Sequence, residues 1–201
     1  DTSTWVAQMI SMAKKGEGAG VRRVVNFKPL NQWIERQPHL TMDTFRQVTS
    51  IPRREEEDDI RYTCVDAWNG YHSIPLHEDS RSLTTFLTEW GCYRYRAAPQ
   101  GFNGSGDAYT YAYDKIQQQM EGEFKDIFLE EDNSQKYKRC IDDTLSWGTD
   151  IYESFKQIWI MMAFCNNKGV IFNPKKIQFA QKVVNAFGYK IGQKGIAPTS
   201  E

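Results

Sequence analysis

The chain has 201 residues, 40% hydrophobic and 13% aromatic, which suits one substantial core or two modest intertwined subdomains and excludes a disordered segment. The best candidate for a membrane span, Ile158–Cys165 (IWIMMAFC), has eight residues against the roughly 18 required, and predicts a buried helix instead. Twenty-five basic and 26 acidic side chains leave a net charge of −1, so overall charge offers no argument for a nucleic-acid partner.

In chain order, a short N-terminal helix is predicted ahead of the Gly-rich turn GEGAG (Gly16–Gly20) and a strand over Val21–Phe27. The turn lacks GxGxxG, which rules out a dinucleotide-binding loop. A helix over Thr41–Ser50 and a charged loop over Arg53–Asp59 follow. Ile60–Asp66 (IRYTCVD) alternates with the period of a strand, and Asp66 ends it. Ser82–Leu87 and Cys92–Arg96 predict a hairpin around Glu89–Gly91. The loop GFNGSG (Gly101–Gly106) opens a helix from about Asp107 to Met120, with Tyr109, Tyr113, Ile116 and Met120 along one face. Tyr137–Ile141 and Thr144–Trp147 read as two strands pinched around Asp142-Asp143. A second helix, Ile151–Asn167, is stopped by Gly169. Short strands close the chain near Val170–Phe172, Ile177–Ala180 and Val184–Ile191. This order predicts an α+β sheet with helices on one face.

Cys64, Cys92, Cys140 and Cys165 form no CxxC pair, and His39, His72 and His77 add no zinc-like spacing. A reduced, intracellular chain is expected. The opening DTSTWVAQ has neither a basic nor an apolar leader segment. It also has no initiator Met, and the chain stops at APTSE, so a piece of a longer protein is expected. Charge is unevenly spread: residues 151–201 hold seven lysines against Glu153 and Glu201, whereas acid gathers in Glu55–Asp59 and Glu121–Asp132.

The carboxylates carry the chemistry. Asp66 ends an apolar strand, and Asp142-Asp143 sits at a hairpin tip 76 residues later. Carboxylates brought together raise one another's pKa unless a cation neutralises them. Oxygen ligands favour Mg²⁺, and two such ions could activate a 3′-hydroxyl and stabilise leaving pyrophosphate. An isolated Asp-Asp pair is ordinarily turn chemistry. Here Cys140-Ile141 and Thr144-Leu145 set it in an apolar hairpin rather than a polar loop.

Five blocks, in order, have counterparts in one family: RRVVNFKPLN (Arg22–Asn31), VDAWNGYHSIPLHEDSRSLTTF (Val65–Phe86), APQGFNGSGDAY (Ala98–Tyr109), CIDDTLSW (Cys140–Trp147) and NPKKIQFAQKVVNAFGYKI (Asn173–Ile191). On these the chain resembles retroviral and gypsy-type retrotransposon reverse transcriptases nearly end to end. The resemblance implies that Asp66 and Asp142 ligate two Mg²⁺ (or Mn²⁺) ions, with Asp143 in support and the Ala67 carbonyl as a further ligand. Arg22, with Lys15 or Lys14, would hold the triphosphate, since a guanidinium can bind it bidentately. Tyr71 would stand at the sugar gate and Gln100 would contact the incoming nucleotide. Lys176 or Lys175 would protonate the leaving pyrophosphate or simply contact phosphate. Cys140, Phe187, Gly188 and Tyr189 would lie along the primer end.

The implied fold is α+β, a right-hand polymerase without its thumb. Fingers are expected over 1–40 and 74–104, and palm, including the primer-gripping hairpin, over 41–73 and 105–201. The implied activity is RNA-directed DNA polymerisation, with an RNA or DNA template, a DNA primer and deoxynucleoside triphosphates. Downstream thumb and RNase H parts of a polyprotein and cytoplasmic particles of a retroelement belong to the same expectation. Cys140 departs from the family's usual tyrosine, and Asn26 stands where an acidic residue is common. A second reading is a decayed or domesticated copy that binds nucleic acid or a protein without catalysis. A third, an RNA-dependent RNA polymerase, is disfavoured by Tyr71 and Gln100-Gly101.

Overall fold

The structure, a computed structural model, describes residues 3–13, 20–39, 43–51, 60–68 and 70–199. The elements are β1 (Ala7–Ala13), β2 (Val21–Val25), α1 (Lys28–Asn31), α2 (Thr44–Thr49), β3 (Arg61–Asp66), α3 (Glu78–Arg81), β4 (Phe86–Thr88) and β5 (Gly91–Tyr93). They continue with α4 (Asn103–Glu123), α5 (Lys125–Phe128), β6 (Tyr137–Cys140), β7 (Asp143–Gly148), α6 (Ile151–Asn167), β8 (Gln178–Gln181), β9 (Val183–Ala186), β10 (Tyr189–Gly192) and β11 (Gly195–Pro198). The chain divides into two compact units, Asp1–His39 with Tyr71–Tyr109, and Leu40–Gly70 with Thr110–Glu201.

Unit 1 is built on a four-stranded sheet in the order β2-β1-β4-β5. The segment before GEGAG is therefore a strand, not the expected helix. β1 pairs antiparallel with β2 and parallel with β4, and these long-range ladders outweigh the helix propensity of its Ala and Met residues. Ala7, Val25, Phe27, Leu30 and Phe86 form the core of this unit. Gly101 has φ +89°, so the loop between Pro99 and α4 needs glycine there. α4 starts at Asn103, four residues before its expected start, because Asn31 Oδ1 accepts the Asn103 N–H at 3.0 Å.

A second tie in unit 1 is ionic. Arg36 donates to the two Asp107 oxygens at 2.7 and 3.1 Å, and the His39 N–H adds a third bond at 3.0 Å. The Arg36 hydrogen bond holds the Asp107 carboxyl below the usual carboxylate range. Folding thus favours the charged form, and the stability it contributes is present above about pH 4 and lost as pH falls through the lower folded value. The melting-temperature gap between wild type and Asp107→Asn is expected to be open at neutral pH and to close below about pH 4. A gap unchanged in strong acid would assign the loss to packing rather than charge.

Unit 2 holds an antiparallel four-stranded sheet, β6-β7-β3-β8, and a three-stranded antiparallel sheet, β11-β10-β9. Tyr62 faces Trp147 and Cys64 faces Leu145 across β3 and β7. These four join Val48, Ile51, Val184, Phe187 and Ile191 in the main core. The opposite face carries Thr63, Val65, Thr144 and Ser146, all buried. A strand covered on both sides is buried continuously, which is why β3 is closed from Tyr62 to Val65 instead of alternating. α6 begins where Asp150 caps it, accepting the Glu153 N–H at 2.7 Å, and ends before Gly169 at φ +88°, within its expected bounds. Its Ile158, Met161 and Cys165 are buried. Among the described residues no helix is long and apolar enough to cross a membrane.

Two C-terminal expectations change. Val170–Phe172 is not a strand; only Phe172 bridges to Ala67. Val184–Ile191 is two strands, β9 and β10, turned at Phe187-Gly188, both at positive φ as a tight primed hairpin turn requires.

Candidate active site

Three carboxylates meet at one end of the central sheet of unit 2. Asp66 closes β3 and Asp143 opens β7, directly opposite it in the ladder. Side chains so paired have Cβ atoms about 4.5–5.5 Å apart. Asp142 lies in the two-residue turn between Cys140 and Asp143, so the turn is Ile141-Asp142 and the strands meet one residue earlier than expected. The Ala67 N–H donates to the Asp142 carbonyl at 2.8 Å and ties the turn to β3. Ile141 has φ +53°, a left-handed conformation that glycine takes freely and a β-branched residue does not. Such a residue costs on the order of 1–3 kcal/mol and persists only where its surroundings over-determine it.

The electrostatics follow from the crowding. Burial pushes the Asp143 carboxyl up to about 6, and the Asp66 carboxylate opposite adds to the shift by charge and by hydrogen bonding. Lys176 offsets part of this: its Nζ lies 2.8 Å from Asp66 Oδ2, and that hydrogen bond raises the ammonium pKa. Strand order explains the reach. β8 runs antiparallel beside β3, so the single helical turn Pro174–Lys176 that precedes it falls next to the end of β3. The Asn173 N–H donates to the Asp66 carbonyl at 2.8 Å and fixes that turn. Lys176 is the contact of the lysine pair; Lys175 instead donates its backbone N–H to Asn173 Oδ1.

Among the described residues, no group of three or more Asp, Glu, His or Cys side chains is arranged to hold a metal ion by itself. The donor set nonetheless fits a hard divalent ion: it is all oxygen, half-buried at Asp66 and Asp143, and burial together with the neighbouring Asp66 charge pushes Asp143 toward protonation. An incomplete cage suits Mg²⁺, which fills its shell with water and substrate phosphates.

Residues 12–191 match the reverse transcriptase (RNA-dependent DNA polymerase) family. The chain belongs to that family. The retrovirus-related Pol polyprotein from transposon 412 of Drosophila melanogaster is 28% identical over 137 residues, 68% of this chain and 10% of that protein. The transposon Tf2-3 polyprotein of Schizosaccharomyces pombe is 23% identical over 197 residues, 96% of this chain and 13% of the relative. The chain thus spans about a tenth of each polyprotein. A foamy viral protease-reverse transcriptase solved in complex with double-stranded DNA has the same fold, with a TM-score of 0.82 at 20% identity, over 100% of this chain and 32% of that one. The α+β fold is that of reverse transcriptase fingers and palm. Reverse transcriptases in general depend on divalent metal.

The other residues singled out in the sequence fall in both units. In unit 1, Arg22 Nη2 donates to Gln100 Oε1 at 2.7 Å, both exposed. Tyr71 is half-buried in the helical turn Gly70–Ser73, its ring edge-on to Tyr109 at 5.6 Å. In unit 2, Cys140 is half-buried against the main core and faces Asp143. Phe187 is buried in that core, and Tyr189 tilts against Phe45. Lys15 lies outside the described residues. Reading the sequence missed Arg139, whose buried guanidinium touches the Ile141-Asp142 turn; nothing local to RC-I-DD marks it.

Proposed function

We propose that the protein carrying this chain is an RNA-directed DNA polymerase and that the chain supplies its fingers and palm, units 1 and 2 respectively. The observation that carries this is Asp66 facing Asp143 across one ladder with Asp142 in the adjoining turn. Asp66 and Asp142 would hold Mg²⁺ or Mn²⁺, with Asp143 in support. In extended backbone the N–H and C=O of one residue point the same way. The Ala67 N–H faces Asp142, so its carbonyl is directed to the same side and would add an oxygen ligand. Two bound ions would supply activation of the primer 3′-hydroxyl and charge for the leaving pyrophosphate. Lys176, already held at Asp66, would give that pyrophosphate a proton or a counter-charge.

In unit 1, Arg22 would hold the triphosphate, with Lys15, and Gln100 would contact the nucleotide. Cys140 and the Phe187-Gly188-Tyr189 turn would lie along the primer. Template would be RNA or DNA, and the protein would continue into thumb and RNase H parts, acting in intracellular particles of a retroelement. All three carboxylates are present, and no observation favours a non-catalytic binding module.

Extension of a DNA primer by the full-length protein, with Mg²⁺ and with deoxy- or ribonucleoside triphosphates, tests this reading. Failure with deoxynucleotides on both RNA and DNA templates would overturn it. Tyr71 gives a finer test. If its ring fills the space of a ribose 2′-hydroxyl, Tyr71→Ala is expected to shift the deoxy-to-ribo ratio of kcat/KM on the order of 100-fold toward ribonucleotides. An unchanged ratio would make Tyr71 a packing partner of Tyr109 alone.

A further inference from the structure

The strained turn that carries Asp142 is gripped by one side chain. Arg139 lies in β6, two residues before Ile141, and its side chain is 6% exposed. Its Nη1 donates to the Ile141 carbonyl at 2.8 Å. Its Nε donates to Gln117 Oε1 at 2.9 Å, and Nη2 meets the Asp114 carboxylate and the Thr110 carbonyl, the latter at 3.4 Å. The guanidinium also lies over the Tyr113 ring, 4.7 Å from its centroid. Every contact but one is to α4; the remaining one is to the turn.

That one contact falls on the peptide joining Ile141 to Asp142. The Ile141 carbonyl is held from α4 through Arg139, and the Asp142 carbonyl is held from β3 through the Ala67 N–H. The backbone on both sides of the Asp142 Cα is thereby fixed, and with it the direction of the bond that carries its carboxylate. β6 ends at Cys140, so Ile141 lies beyond the strand ladder. A lysine could not replace this grip, because only the planar fork of a guanidinium reaches a carboxylate, an amide and a carbonyl in separate directions.

We propose that Arg139 is a positioning residue, anchored on Asp114 and Gln117, that clamps the Ile141–Asp142 peptide and aims the Asp142 carboxylate. Its catalytic consequence rests on the polymerase reading; the clamp itself does not. Arg139→Lys keeps a positive charge beside Asp114 but loses the fork, and Arg139→Gln is a neutral second variant. By hydrogen exchange on the full-length protein, the Ala67 amide is expected to exchange about tenfold faster in both, while amides deeper in the same ladder, such as Val65, keep wild-type rates. In single-nucleotide primer extension, kcat is expected to fall about 100-fold with the nucleotide KM and melting temperature near wild type. A wild-type Ala67 rate overturns the clamp whatever the activity does. So does acceleration along the whole ladder, or loss of folding in both variants, since Arg139 would then hold the fold and not the turn. A wild-type kcat in variants with a loosened Ala67 also overturns the aiming of Asp142. If the unmutated protein extends no primer, the polymerase reading falls and the exchange rates still decide the clamp.

Discussion

Asparagine at Asp66 or at Asp142 is expected to reduce primer extension by the full-length protein by about four orders of magnitude or more, with the fold intact. The side chains are isosteric, so packing at the sheet end is preserved. What is lost is charge, and in this site charge is in excess. Asp66 and Asp143 face one another, and their repulsion is offset by Lys176 alone of the nearby cations that shift Asp143. Removing one carboxylate relieves that repulsion, so the melting temperature should hold or rise while activity vanishes. In Asp66→Asn, Asp143 should also return toward the ordinary carboxylate range. Asp143→Asn is expected to be the milder variant, because its role is support. Single-turnover extension and thermal melts on the same preparations make the comparison. Near-normal extension in Asp142→Asn would end the two-metal proposal.

Trp147→Ala is expected to cost about 3–5 kcal/mol, a large share of the roughly 5–15 kcal/mol that holds a domain folded. Trp147 is 2% exposed, faces Tyr62 across the β3–β7 ladder and sits in the main core of unit 2 with Val48, Ile51 and Val184. β7 carries Asp143 at its other end, so a cavity at Trp147 loosens the strand that presents the site. Trp147→Phe should be tolerated better. The indole Nε1 is buried without a hydrogen-bond partner among the described residues, so the smaller ring leaves a cavity but also removes an unsatisfied donor. Urea titrations of both variants check the order. Equal losses would show that ring volume does not govern this core.

The meeting of Asp66 with Asp142-Asp143 was legible because the signals are local. Strand alternation in IRYTCVD ends at Asp66, and apolar neighbours on both sides of Asp142-Asp143 mark a packed hairpin rather than a polar loop. α6 was equally legible, since its cap, its buried stripe and its glycine stop all lie within 20 consecutive residues. Other features exist only between distant residues. The segment Ala7–Ala13 has helix-forming composition and becomes β1 because β2 and β4, the latter more than 70 residues on, offer it ladders. Ile141, not an aspartate, takes the positive φ of the turn, because β6 and β7 fix the register and Arg139 holds the carbonyl from α4. Lys176 was a candidate beside Lys175 until the β3–β8 pairing brought it to Asp66 across 110 residues. Residue type and spacing determine which groups can do chemistry, because periodicity and turn preference act over a few residues. Strand pairing and burial decide which of them meet and how their charges shift, because those energies depend on neighbours the chain reaches only by folding.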